Sequence, residues 1–139
     1  HFHEIGGADS IVDIVGGVWA IESLNLDTIK SSPLNVGEGF VDCIHGRLPV
    51  PAPATLKLLK GIPVFSNGVK EELTTPTGAA MIGFYAEKFE SIPTMTIANE
   101  GYGAGSRVIP SLPNLLRVLE SEVLSIPIIG PNSGFSGFK

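Results

Sequence analysis

Residues 48–55 read Leu-Pro-Val-Pro-Ala-Pro-Ala-Thr, with prolines at 49, 51 and 53. Each proline fixes φ and removes a backbone donor, so the stretch is extended and its prolines cannot supply sheet donors. Pro53 suits the first turn of a short helix reaching Lys60, and Gly61 is a natural stop. Before the proline run, residues 28–32 and 39–45 read as strands separated by a turn at 33–37. After it, 63–66 reads as a short strand followed by an Asn67-Gly68 turn. Thr75 and Pro76 mark a helix start, as cap and first helical residue, and the pattern predicts a helix to about Phe89. Residues 94–99 read as a strand, 101–105 as a flexible glycine-rich loop, and 115–121 as a last strand. Pro127, Gly130, Pro131, Ser133, Gly134, Ser136 and Gly137 make 125–139 a loose tail.

The other long element precedes all of these. Ile11, Ile14, Val15, Val18 and Ile21 recur at helical spacing, and Val12 and Trp19 widen the stripe, so a mostly buried helix is predicted over 9–24. Ser10, Asp13, Gly17 and Ala20 form its remaining strip, with Asp9 and Gly16 beside it. Those small residues allow another backbone or a ligand to approach closely.

The chemistry-bearing residues gather at this end. His1, His3, Glu4, Asp9 and Asp13 put two imidazoles and three carboxylates into thirteen residues. Burying such groups is costly unless something pairs with them, and a divalent cation accepts both ligand types. On a strand, His1 and His3 point to one face and Glu4 to the other. Asp9 and Asp13 share a helix face and repel unless a cation or proton lies between them. The bland alternative, that Asp9 caps the helix and Asp13 pairs with a lysine or histidine, stands at even odds.

Three further groups are candidates. Cys43 and His45 on one strand face suit a softer divalent metal, although a buried free cysteine is the commoner reading. Thr74, Thr75, Thr77 and Gly78 at a helix start suit a phosphate, with ordinary capping preferred in isolation. Gly101, Gly103 and Gly105 read GxGxG, but no helix follows as a dinucleotide fingerprint requires. Arg107 and Arg117 nearby are either clamps for a carboxylate or phosphate, or surface residues.

Bulk properties exclude several classes. With 43% apolar and 17% charged residues the chain can bury a core and is not disordered. A net charge of −5 argues against a general nucleic-acid binder. A single cysteine fits a reducing cytoplasm. No apolar run reaches the ~20 residues that span a bilayer, and no secretory signal is visible. The sequence begins at His1, so it is treated as a candidate fragment. The expectation is one α/β or α+β domain over 1–124, with a mixed sheet of about five strands and three main helices.

Several blocks together resemble the LarC family of nickel-insertion proteins. They are His1-Phe2-His3-Glu4-Ile5-Gly6, Asp9-Ser10-Ile11-Val12-Asp13-Ile14-Val15-Gly16, Ser32-Pro33-Leu34, and Cys43-Ile44-His45-Gly46 with the proline run. After these come Glu72-Leu73-Thr74-Thr75-Pro76-Thr77-Gly78-Ala79-Ala80, then Gly101-Tyr102-Gly103-Ala104-Gly105 with Pro113-Asn114-Leu115-Leu116-Arg117. The resemblance covers about residues 1–120.

It implies a CTP-dependent nickel cyclometallase, a metal chelatase of the lyase class. That enzyme completes the nickel-pincer cofactor of lactate racemase from pyridinium bisthiocarboxylic acid mononucleotide. CTP with manganese or magnesium is implied to bind a C-terminal region outside this chain. A histidine-rich stretch ahead of His1 is also implied. The imidazoles and carboxylates would then hold nickel for delivery, and Asp13 or Glu4 would take the ring proton as carbon is metallated. Thr75 to Ala79 would receive the substrate phosphate. Two other readings compete. One is a non-catalytic structural or oligomerising module that presents precursor or metal to another domain, such as a C-terminal LarC domain. The other is a metal-dependent phosphate-ester hydrolase using Asp9 and Asp13.

Overall fold

The computed structural model describes residues 8–44, 46–110 and 112–122, with Ala8 and Asp9 described by backbone alone. Their contacts fall into two units, one up to Pro93 and one from Thr94 onward. The first unit holds α1 (Ala8–Ser23), β1 (Lys30–Ser31), β2 (Leu34–Asn35), β3 (Phe40–Cys43), β4 (Gly46–Pro49), α2 (Pro53–Leu58), β5 (Val64–Phe65), α3 (Pro76–Tyr85) and β6 (Lys88–Phe89). The second holds β7 (Ile97–Ala104) and β8 (Leu115–Ser121).

The class is mixed α/β with three helices, as expected. Among the described residues, however, the strands form four two-stranded pairs rather than one sheet: β1·β6 and β2·β5 parallel, β3·β4 and β7·β8 antiparallel. Pro33 ahead of β2 and Pro63 ahead of β5 limit those two strands at their starts.

The first unit is organised around residues 34–39. The expected turn at 33–37 is instead β2 followed by a strap that threads between later segments. Leu34 N donates to the Pro63 carbonyl at 3.0 Å and Val36 N to Phe65 at 2.9 Å. Glu38 N donates to Val69 at 2.8 Å, and Leu73 N donates back to Val36 at 3.3 Å. Within the strap, Gly37 has a φ of +73°. A Cβ there would overlap the Glu71 carbonyl, so both dihedral and space require glycine.

Val36, Leu59 and Ala79 are the buried apolar residues, with Leu34 and Ile62 against them. They join the strap, α2 and α3. Thr55, 0% exposed on α2, donates its hydroxyl to Glu72 Oε1 at 3.3 Å, so the α2–α3 seam contains one satisfied polar contact.

Helix ends follow local chemistry. Thr75 Oγ1 accepts from Gly78 N at 3.3 Å and Pro76 takes the first helical position, as predicted. The predicted extension of α3 to Phe89 is wrong. Ala86 turns extended, with φ −77° and ψ 118°. This frees residues 88–89 to pair with β1 as β6, where Lys30 Nζ meets Glu90 Oε1 at 2.7 Å. The predicted strands at 28–32 and 94–99 are displaced or shortened to Lys30–Ser31 and Ile97–Ala104.

Two further corrections concern α1 and the glycine loop. The helix expected to be mostly buried is largely exposed, with Val12 at 68% and Trp19 at 74%. Its packing partner among the helices is α3, where Met81 fills the space beside Gly17. Residues 101–105 are not a loop up to Ala104. Gly101 and Gly103 stand opposite Val118 and Leu116 in the β7–β8 ladder. Cross-strand pairing with these side chains overrides the low strand propensity of glycine.

Removing the Thr55 hydroxyl tests the seam. Thr55→Val leaves Glu72 without that donor and should cost about 1–3 kcal/mol, read as a lower urea midpoint at unchanged slope. Gly37→Ala should cost about 2 kcal/mol or more, because strained φ and steric overlap act together. A wild-type midpoint for either variant contradicts this packing.

Candidate functional site

Of the metal-ligand candidates, His1, His3, Glu4 and His45 lie outside the described residues. Asp9 stands inside the first turn of α1, rather than ahead of it as a cap would. Asp13 is one helical turn further on. The expectation that Asp13 is buried is wrong. Its side chain is exposed, because the apolar neighbours Ile11, Val12 and Val15 are themselves exposed. Nor does Asp13 have a lysine or histidine partner among the described residues. An exposed carboxylate on a helix is available to a cation at low desolvation cost.

β3 ends at Cys43 and Ile44 stands in a turn, so the expected strand does not run on as far as Ile44, and His45 lies outside the described residues. Cys43 is a free, half-buried thiol that donates to the Gly46 carbonyl at 3.3 Å. Its pairing with Gly46 closes the hairpin, and Gly46 takes the positive φ (+99°) that this tight return needs.

The start of α3 uses part of its polar equipment internally. Thr74 Oγ1 donates to the Asn35 carbonyl at 2.8 Å, and Gly78 N is taken by Thr75. Thr77 is half-buried and Gly78 exposed. This is the capping arrangement, with the helix N-terminus attached to β2 through Thr74.

Gly103, Gly105 and Arg107 belong to the other unit. Gly105 N donates to the Asn114 carbonyl at 3.2 Å, and the Asn114 side chain fills the space where a Cβ would stand. That asparagine also donates to the Arg107 carbonyl at 3.2 Å. The close approach that glycine permits here is thus used by Asn114. Arg117 lies opposite Tyr102 on the ribbon.

Sequence reading missed two polar features. The first is the Thr55–Glu72 contact, whose partners lie 17 positions apart with no local signature. The second is an open cleft of about 240 Å³ where α1 and α3 end, lined in part by Glu22, Asp27, Tyr85 and Glu87. Tyr85 Oη donates to Glu22 Oε1 at 2.9 Å. Partial desolvation raises the Tyr85 pKa, and the Glu22 hydrogen bond and charge raise it further. Among the described residues no three of His, Cys, Asp or Glu converge into a metal-holding group. The cleft is therefore acidic without being a formed cation site.

The Tyr85 environment makes a measurable forecast. Ionising the phenol breaks its bond to Glu22 and sets two negative charges together, so Glu22→Gln should shift Tyr85 titration downward. Ultraviolet difference titration of wild type and variant reads the shift, with Tyr85→Phe assigning the band. An unchanged titration would contradict the contact.

Comparison with known proteins adds what geometry alone does not. Residues 1–131 match the family described as "Nickel insertion protein". A pyridinium-3,5-bisthiocarboxylic acid mononucleotide nickel insertion protein of Geobacillus kaustophilus is 48% identical over 95% of this chain and 32% of its own length. One of the same name from Desulfitobacterium hafniense is 48% identical over 88% of this chain and 30% of its own. A putative nickel insertion protein of Geobacter sp. strain M21 is 52% identical over 88% of this chain and 32% of its own. No solved structure matches. The chain thus spans about a third of the length of the curated relatives it matches. By a match that runs through both units, it belongs to the nickel insertion protein family.

Proposed function

We propose that this chain is the nickel-handling part of a protein that inserts Ni(II) into pyridinium-3,5-bisthiocarboxylic acid mononucleotide, completing the nickel-pincer cofactor. The observation that carries the reading is the 48% identity to named insertion proteins across 95% of the chain. Nickel is cargo here, so it must be bound and then released. Imidazole and carboxylate suit that better than a closed thiolate cage.

His1, His3, Glu4, Asp9 and Asp13 are the proposed ligands, with Cys43 and His45 as secondary candidates. The exposure of Asp13 supports a site that hands its metal over, since substrate sulfurs can approach from solvent. During insertion the ring C–H bond breaks, its proton passes to Asp13 or Glu4, and the carbon electron pair forms the bond to nickel. The two thiocarboxylate sulfurs complete the pincer, and nickel stays divalent. Thr74, Thr75, Thr77 and Gly78 at the start of α3, and Gly103, Gly105 and Arg107 in the other unit, are proposed contacts for the phosphate.

In the full-length protein we assign CTP hydrolysis, with magnesium or manganese, to polypeptide outside residues 1–124. The product serves a lactate racemase-type enzyme, and the setting is cytoplasmic. Within the described residues, no helix is long and apolar enough to cross a membrane.

The test is insertion by the full-length protein from precursor, Ni(II) and CTP, read as nickel mass gain in the mononucleotide. The expected result is CTP-dependent product; none under any condition overturns the proposal. Calorimetry should show nickel affinity at least about tenfold weaker after His1→Ala with His3→Ala. Affinity should also fall as pH drops through about 6.5, where protons displace metal from imidazole. Equal affinity in the double variant removes these ligands from the account.

A further inference from the structure

The bend after β5 reads Ser66-Asn67-Gly68-Val69, and three polar contacts converge on its central peptide bond. Asn67 Oδ1 accepts from Val69 N at 3.3 Å, which closes an Asx turn. The ring closed by that bond contains both Asn67 Cγ and the Gly68 nitrogen, so an electrophile and a nucleophile share one tight loop. Gly68 N donates to Ser66 Oγ at 3.2 Å, and Ser66 Oγ donates to Glu38 Oε2 at 3.5 Å. A carboxylate, a hydroxyl and an amide N–H therefore stand in series. Ser66, Asn67 and Gly68 are exposed, so water reaches them. Gly68 has a φ of +86° and no side chain to crowd its nitrogen. Asn67 is the one asparagine in the sequence followed by glycine, whereas Asn25, also exposed, precedes Leu26.

We propose that residues 66–69 form a self-modification site, at which Asn67 cyclises onto Gly68 and loses its amide nitrogen. The Gly68 nitrogen attacks Asn67 Cγ and a new C–N bond forms. Its proton passes to Ser66 Oγ as the Ser66 hydroxyl proton passes to Glu38. Val69 N–H already points at Oδ1 and stabilises the charge that gathers there. The Cγ–Nδ2 bond then breaks, and the proton returns to Nδ2, which leaves as ammonia. Water opens the remaining succinimide at either carbonyl, giving aspartate or isoaspartate with no change of oxidation state. Ser66 touches the reacting nitrogen, and Glu38 is a positioning residue that acts through it. Isoaspartate adds a backbone carbon ahead of Val69, whose carbonyl holds Glu38 N at 2.8 Å. The modification therefore loosens the strap over 34–39, and it does not depend on which residues hold nickel.

Peptide mass spectrometry tests it. The full-length protein is aged at neutral pH, folded and in parallel unfolded in guanidinium chloride, then cut with trypsin after Lys60 and Lys70. The readout is the mass gained when the amide NH2 becomes OH, with isoaspartate separated by chromatography. Asn67 should convert at least about threefold faster in the folded protein than in the unfolded chain, and at least about tenfold faster than folded Asn25. Ser66→Ala should lower the folded rate to that of the unfolded chain, and Ser66→Thr, which keeps the hydroxyl, should restore it. Glu38→Gln should slow conversion as well. A folded rate at or below the unfolded one overturns the proposal, and so does a folded rate unmoved by Ser66→Ala. The comparison of folded with unfolded wild type needs no variant, so it decides even where a substitution prevents folding.

Discussion

The hydroxyl of Thr55 and the carboxylate of Glu72 meet where α2 faces the segment leading into α3, and the same segment is tied through Leu73 to Val36 of the 34–39 strap around which the first unit is organised. Beside it, Val36, Leu59 and Ala79 form a core too small to select an arrangement by apolar burial alone. Directional bonds therefore carry much of the specification. The strap from Leu34 to Gly39 is stitched to residues 63–73, and Thr74 ties the start of α3 to β2. A buried hydroxyl facing a carboxylate is favourable only while both partners are present, so this joint penalises any shift of α2 against the segment leading into α3.

That dependence explains what was legible in the sequence. Thr75 and Pro76 announced the start of α3 because capping is a local event, decided by four consecutive residues. Leu115–Ser121 announced itself by composition and spacing. Glycines 101 and 103 misled, because their strand conformation is decided by Leu116 and Val118 across the ladder. The reading of Asp13 as buried failed for a related reason. An apolar sequence around a carboxylate states what the helix can bury, and leaves open what is present to bury it against.

The family blocks fall on segments with different structural duties. The proline run and Thr74 to Ala79 build the α2–α3 seam, while Gly101 to Gly105 build a ribbon whose close contact is made by Asn114. Of the proposed nickel ligands, Asp9 and Asp13 stand on α1, which contributes none of the buried trio of Val36, Leu59 and Ala79. An exposed helix with two carboxylates one turn apart is suited to transient metal binding. A ligand set locked inside a packed core would hold its metal too well to deliver it.

The claim at the centre of this account is that nickel is held for delivery by imidazole and carboxylate from the first thirteen residues. Nickel K-edge X-ray absorption on the stoichiometrically loaded protein addresses it most directly. The account predicts a shell of nitrogen and oxygen with imidazole outer scattering, and loss of that scattering after His1→Ala with His3→Ala. A sulfur-dominated shell, or imidazole scattering that persists in the double variant, would contradict it.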